Sequence, residues 1–152
     1  MSDIRNLLDP KCIVLDMKAT SKIDAITELC EALYHAGRAR NADALKDAVL
    51  EREAQIPTGI GMGIAIPHGK SDSVVHPSVA FGRSKTGVDF GAADGVPADL
   101  IFLLAVPGNA AADHLAILAN LARSLLDESF RLGLRTAQSA KDVLEVMSAV
   151  LS

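Results

Sequence analysis

The chain predicts an α/β fold: a three-layer α/β/α sandwich on a small mixed β-sheet, in one domain over residues 1–152. Three observations point there. Segments with helical and strand patterns run in the order one strand, two helices, several strands, then about three helices. The run Leu100-Ile101-Phe102-Leu103-Leu104-Ala105-Val106 is unbroken by polar residues, the pattern of a strand buried on both faces. Hydrophobic residues make up 49% of the chain but aromatics only 3%, so the core is aliphatic and built from tightly interlocking Leu, Ile, Val and Ala. At 152 residues it needs no disulfide or metal staple.

The elements follow in order. Ile4, Leu7 and Leu8 make a short amphipathic turn stopped by Asp9-Pro10, and 12–17 reads as a first strand. Ser21 caps a helix, with Asp24 three residues on in a capping-box position. Ile23, Ile26, Leu29, Cys30 and Leu33 recur along it at helical spacing until Gly37. Asn41 caps a second helix to about Ala54, with Leu45, Ala48 and Val49 inward, and this helix delivers Glu51, Arg52 and Glu53 to its last turn. Residues 63–67 read as a buried strand. Segments 78–83 and 88–90 read as paired strands around a turn at Lys85-Thr86-Gly87, and 100–106 as the central strand. Asp113-His114 opens a long helix with Leu115, Leu118, Leu121, Leu125 and Leu126 on its apolar side. A short helix covers 132–134, and Ser139 caps a last one with Val143, Val146, Met147 and Val150 inward.

Composition removes several function classes. A net charge of -4 and the lack of aromatic stacking platforms argue against nucleic acid as a partner. Cys12 and Cys30 sit in element-like segments and read as small buried apolar residues of a reducing compartment. Charges at Asp3, Arg5, Asp9, Lys11 and Asp16 leave no signal-peptide core, and no apolar run reaches the roughly 18 residues that span a bilayer. The expectation is a cytoplasmic protein with no membrane insertion.

Chemistry concentrates in residues 55–70, Q-I-P-T-G-I-G-M-G-I-A-I-P-H-G-K. Pro67 fixes the backbone before His68 and Gly69 leaves it bare after, so the imidazole is held while something bulky can approach. Gly59-Ile60-Gly61 fails the dinucleotide fingerprint, because the third glycine position is Ile64. Gly69-Lys70-Ser71 resembles a P-loop end, but its upstream glycine position is also Ile64. The histidines (His35, His68, His76, His114) show no metal-ligand spacing, so His68, His76 and Asp113 could meet at a metal only through tertiary structure. What remains is a nucleophilic histidine that accepts a phosphoryl group. Successive N–H groups at Gly59, Gly61 and Gly63 could hold the anion, and Arg52 could neutralise it with paired hydrogen bonds. His114, opening a helix after the central strand, stands where open sheets bind ligands.

The segment 53–69, with Ile60-Gly61, Ile64-Ala65-Ile66 and Pro67-His68-Gly69, resembles the phosphorylation-site signature of type-2 IIA domains. These belong to the bacterial phosphoenolpyruvate-dependent sugar phosphotransferase system, in the fructose/mannitol/nitrogen-regulatory family, and the likeness is strongest to its nitrogen-regulatory branch. It extends over nearly the whole chain: Leu7-Leu8-Asp9-Pro10, Arg52-Glu53, 100–107 and His114-Leu115. The resemblance implies that His68 becomes a tele-phosphohistidine, taking its phosphoryl group from the histidine-containing phosphocarrier protein. It also implies that His114 orients the site and Arg52 lies beside the phosphoryl group, with no metal or cofactor at this step. Ile60, Met62 and Ile64 are expected to rim an apolar docking face; His35, His76 and Lys70 are expected to be exposed and without a role. With no further domain after Ser152 to receive the group, a regulatory role toward protein targets is expected. The alternative is a sugar-specific component serving a separate IIB chain, and a poorer third reading is a metal-dependent hydrolase on His68, His114 and Asp113.

Overall fold

The computed structural model describes the backbone of residues 4–109 and 113–151, and within them every side chain except those of 4–5, 113–118 and 150–151. A helical turn α1 (Ile4–Leu7) and a 3-10 turn (Pro10–Cys12) lead into β1 (Ile13–Val14), followed by α2 (Lys22–His35) and α3 (Ala42–Gln55). Then come β2 (Gly59–Gly61), β3 (Ile64–Ala65), β4 (His68–Ser71), β5 (Ser78–Val88) and β6 (Ala98–Pro107). The chain closes with α4 (Asp113–Ser124), α5 (Glu128–Thr136) and α6 (Ala140–Leu151). No helix among the described residues is long and apolar enough to cross a membrane.

Among the described residues the sheet has six strands. Its path runs β1-β5-β6-β3-β2, and β4 pairs with β6 on the edge that β3 has left. Pairing is parallel for β1 with β5 and for β3 and β4 with β6; it is antiparallel for β5 with β6 and for β2 with β3. The mixed three-layer sandwich is therefore as expected. Alternation on β6 explains its continuous apolar sequence: Ile101, Leu103 and Ala105 enter the core beneath α2 and α3, while Leu100, Phe102 and Leu104 enter the core beneath α1, α4, α5 and α6. The Phe81 and Phe102 rings meet in that second core, 4.9 Å between centroids.

The caps form as read. Ser21 Oγ accepts from Asp24 N at 3.2 Å, Asn41 Oδ1 from Ala44 N at 3.1 Å, and Ser139 Oγ from Asp142 N at 3.1 Å. Gly37, at φ 76°, follows α2. Cys12 and Cys30 are free and buried, and burial pushes both thiols up to about 12.

Several expectations needed correction. Segment 12–17 is not a full strand: the Asp9 carboxylate accepts from Lys11 N, and Cys12 N donates to the Asp9 carbonyl, so the turn takes Cys12, and β1 covers only Ile13 and Val14. Segments 78–83 and 88–90 are not partners. They lie along one strand, β5, which ends at Val88 and pairs with β6 around an irregularity between Arg83 and Val88. Only Ile64 and Ala65 of 63–67 are in a strand. Ile23 and Leu126 face solvent, Leu126 because α4 ends at Ser124. Leu121, Leu125, Val143 and Met147 are buried as expected; the side chains of Leu115, Leu118 and Val150 lie outside the described residues.

Candidate active site

His68 opens β4, opposite Leu104 of β6. Nothing in His-Gly-Lys-Ser favours a strand by itself. It forms because β3 ends at Ala65 and leaves the edge of β6 free, and Pro67 turns the chain back onto that edge, with Leu104 N donating to the Pro67 carbonyl at 3.0 Å. The ring is half-buried, with Nδ1 3.0 Å from the Ile66 carbonyl oxygen. A carbonyl only accepts, so Nδ1 carries the proton in that contact and the neutral ring keeps its free lone pair on Nε2.

Arg52 reaches the same place from α3. A cleft of ≈ 250 Å³ is lined by Ala48, Glu51, Arg52 and Gln55 of α3 and by His68, Gly69 and Lys70 of β4. Gly69 explains how the helix comes so close: a Cβ on it would stand 2.7 Å from Val49 Cγ2 and 2.8 Å from Val49 N. The bare backbone after His68 is thus filled by α3 itself, which corrects the expectation that it leaves room for a visitor. Among the described residues, the buried Arg52 Nη1 has no hydrogen-bond partner. A buried donor without an acceptor is costly, by about 1–3 kcal/mol, and such an atom beside a histidine with a free Nε2 is suited to an anion.

The glycines are elsewhere. Gly59 and Gly61 lie in β2, Gly63 in the turn after it, and none of the three lines the cleft. Gly61, Met62 and Gly63 all have positive φ (92°, 59° and 79°), and three of the turn's polar groups are matched by protein. Met62 N donates to Asp94 Oδ2 at 2.9 Å, the Met62 carbonyl accepts from Arg135 Nη2 at 2.7 Å, and the Gly63 carbonyl accepts from the Asp99 and Leu100 amides. Ile64 pairs with Leu100 and His68 with Leu104, which separates turn and imidazole by four strand residues, roughly 13 Å. The expected anion-holding loop at Gly59, Gly61 and Gly63 is a structural hairpin.

His114 is the second residue of α4, in the helical layer opposite α3, beyond the end of the strand that pairs with His68. Its side chain lies outside the described residues, as does that of Asp113. Lys70, His35 and His76 are exposed. Ile60 and Met62 are exposed as expected of a docking rim, but Ile64 is 1% exposed and belongs to the core, because its strand position faces the second helical layer.

Glu53 is the residue that sequence reading passed over. It is 4% exposed, and its carboxylate accepts from Thr58 N (2.8 Å), Thr58 Oγ1 (2.6 Å) and Lys22 Nζ (3.2 Å). A signal was present: Leu45, Val49 and Glu53 are spaced four apart, so Glu53 continues the inward stripe of α3 with a charge that needs partners.

Comparison with known proteins places these features in context. The family model "Phosphoenolpyruvate-dependent sugar phosphotransferase system, EIIA 2" matches residues 6–150. The chain is 42% identical to a protein from Haloferax volcanii named "PTS system fructose-specific EIIA component", over 99% of this chain and 98% of that one. The crystal structure of nitrogen regulatory protein IIA-Ntr from Neisseria meningitidis superposes with a TM-score of 0.88 at 36% identity, covering 96% of this chain and 99% of that one. A complex of enzyme IIAMTL with phosphorylated enzyme IIBMTL from Escherichia coli gives 0.79 at 30% identity, covering 94% and 99%.

Proposed function

The chain belongs to the phosphoenolpyruvate-dependent sugar phosphotransferase system EIIA 2 family, and on that premise we propose that it accepts a phosphoryl group on His68 Nε2. The donor is the phosphohistidine of the histidine-containing phosphocarrier protein. The observation that carries the reading is the pairing of His68, whose Nδ1 is held on the Ile66 carbonyl, with an Arg52 whose buried Nη1 has no partner in the same cleft. In the transfer, the P–N bond to the carrier's imidazole breaks as a P–N bond to Nε2 forms. Nδ1 keeps its proton, and the Ile66 carbonyl stabilises the positive charge that develops on the ring. Arg52 supplies guanidinium N–H groups to the phosphoryl oxygens, so catalysis rests on positioning and charge stabilisation. His114 is assigned to orienting the acceptor. No metal or nucleotide is required, because the donor is already an activated phosphoramidate.

From His68 the group passes to a IIB-type chain of a sugar system. The 42% identity to a fructose-specific component of matching length supports this, since a relative of that extent is sugar-specific without further domains. The second reading, nitrogen-related regulation of protein targets, is favoured by the likeness to IIA-Ntr at a TM-score of 0.88.

The test supplies phosphoenolpyruvate, enzyme I and the carrier, and looks for an acid-labile phosphoryl mass on the wild type that His68→Ala cannot acquire. No addition to wild type under these conditions defeats the proposal. Adding a fructose-type IIB chain to the phosphorylated protein then separates the two roles: rapid loss of the group supports the sugar system, and retention supports regulation.

A further inference from the structure

We propose that Glu53 is a positioning residue for His68: through Thr58 and the backbone of Ile66 it holds the carbonyl that sets the imidazole tautomer. The inference rests on the reading of His68 Nε2 as the phosphoryl acceptor. Glu53 touches neither the imidazole nor the cleft, and a buried carboxylate is retained only where hydrogen bonds compensate it. Its two oxygens bind the amide and the hydroxyl of Thr58, so that residue is fixed by both its backbone and its side chain. The Thr58 carbonyl then accepts from Ile66 N at 3.1 Å. One residue on, the Pro67 carbonyl is fixed by Leu104 N at 3.0 Å, and the proline ring restricts the backbone between these anchors. The Ile66 carbonyl therefore has a single orientation, toward His68 Nδ1 at 3.0 Å.

The consequence is chemical. A neutral imidazole in water exchanges its proton between the two nitrogens, and only the Nδ1–H form presents Nε2 as a nucleophile. Holding an acceptor at Nδ1 selects that form before the donor arrives. Glu53 also directly follows Arg52, so one turn of α3 positions the acceptor with one side chain and reaches the cleft with the other. Lys22, 3.2 Å from Glu53 and on α2, pairs its ammonium with the carboxylate and ties both helices to the relay.

The experiment compares wild type, Glu53→Gln, Thr58→Val and Thr58→Ser. The His68 tautomer is read by long-range proton–nitrogen NMR, and phosphoryl uptake is measured while the carrier concentration is varied. Wild type and Thr58→Ser should show the Nδ1–H tautomer and similar rates. Glu53→Gln and Thr58→Val should show a substantial Nε2–H population and a maximal rate lower by about tenfold or more, with the carrier KM within about twofold. Should Glu53→Gln fail to fold, the near-isosteric Thr58→Val decides. A folded variant that keeps both the Nδ1–H tautomer and the wild-type rate overturns the relay, as does a Thr58→Ser variant as impaired as Thr58→Val. If wild type takes up no phosphoryl group, the reading of the site fails, and the tautomer ratios alone then decide the relay.

Discussion

Two arginines mark the two ends of segment 55–70, and they have opposite surroundings. Arg135 grips the glycine turn: Nε and Nη2 donate to Asp99 at 2.8 and 2.9 Å, and Nη2 also donates to the Met62 carbonyl. The hydrogen bonds to Asp99 hold its guanidinium above the usual arginine range. Arg52, at the His68 end, has a buried Nη1 with no partner among the described residues. Residue type and net charge are the same in both, and so is the nearby segment. Saturation is what differs: a guanidinium already matched by carboxylate and carbonyl fixes a turn, while an unmatched one beside a free imidazole nitrogen is available to an incoming anion.

Mutation should separate the two most sharply at the level of catalysis. Arg52→Ala is expected to lower the rate of phosphoryl uptake by His68 about 10²–10³-fold, the scale for losing one preorganised charge donor. Its melting temperature should hold or rise, since a buried unpaired donor is removed. Arg52→Lys should restore only part of the rate, because an ammonium cannot donate in the paired geometry. Arg135→Ala should do the reverse, leaving uptake within about twofold and lowering stability by about 1–2 kcal/mol, a figure held down by the pair's partial exposure to solvent. Equal losses of rate in Arg52→Ala and Arg135→Ala would break the contrast.

Glycine substitutions sharpen it at the next scale. In Gly69→Ala the new Cβ meets backbone, 2.8 Å from Val49 N and 3.1 Å from Val49 Cα, so α3 must shift and carry Arg52 with it. We expect a loss of about 1–3 kcal/mol from overpacking, and roughly a tenfold or greater fall in uptake from misplacement. In Gly63→Ala the Cβ would lie 2.4 Å from Asp99 Oδ1 and 2.7 Å from Arg135 Nη2, at φ 79°. There the penalty should appear in chemical or thermal denaturation alone, with uptake kinetics unchanged in the folded protein. A Gly69→Ala protein of full activity would show that the close approach of α3 is dispensable.

The same contrast explains what could be read from the sequence. Helix caps, the stripe of α2 and the double-sided strand β6 are local patterns, and they were legible. His68 and Arg52 were legible because a proline and a glycine flank the one and a helix end carries the other. The glycines misled, since three of them within five residues suit an anion nest and a positive-φ hairpin equally well. Deciding between the two required Asp94, Asp99 and Arg135, which lie 32 to 73 residues from Met62 or bind there through one another. Strand β4 has no strand pattern of its own and exists because β6 offers an edge. Glu53 was visible as a charge on an apolar stripe, but its partners Thr58 and Lys22 come from a loop and another helix.

Acid provides the finest test of the two ends. At the turn, the Asp94 carboxyl lies below its usual pKa because the Met62 amide, and then the Val96 amide, donate to it. A carboxyl depressed in the folded state contributes above its unfolded pKa, near 4, and the contribution is lost as pH falls through the lower folded value. Asp94 is fully exposed, so the effect should be confined to the hairpin. The Met62 amide should keep its hydrogen-exchange protection down to the usual carboxylate range and lose it below, and Asp94→Asn should abolish that pH dependence. At the other end the acceptor for His68 Nδ1 is the Ile66 carbonyl, which does not titrate, and Ile66 N is held by the Thr58 carbonyl, which does not titrate either. Because Thr58 is itself held by the Glu53 carboxylate, the two ends are compared at one pH: Asp94→Asn should lower protection at the Met62 amide and leave that at the Ile66 amide unchanged. Coincident loss of protection at Met62 and Ile66 would mean that the two ends of the segment open as one unit, and that the saturated turn is part of what holds His68 in place.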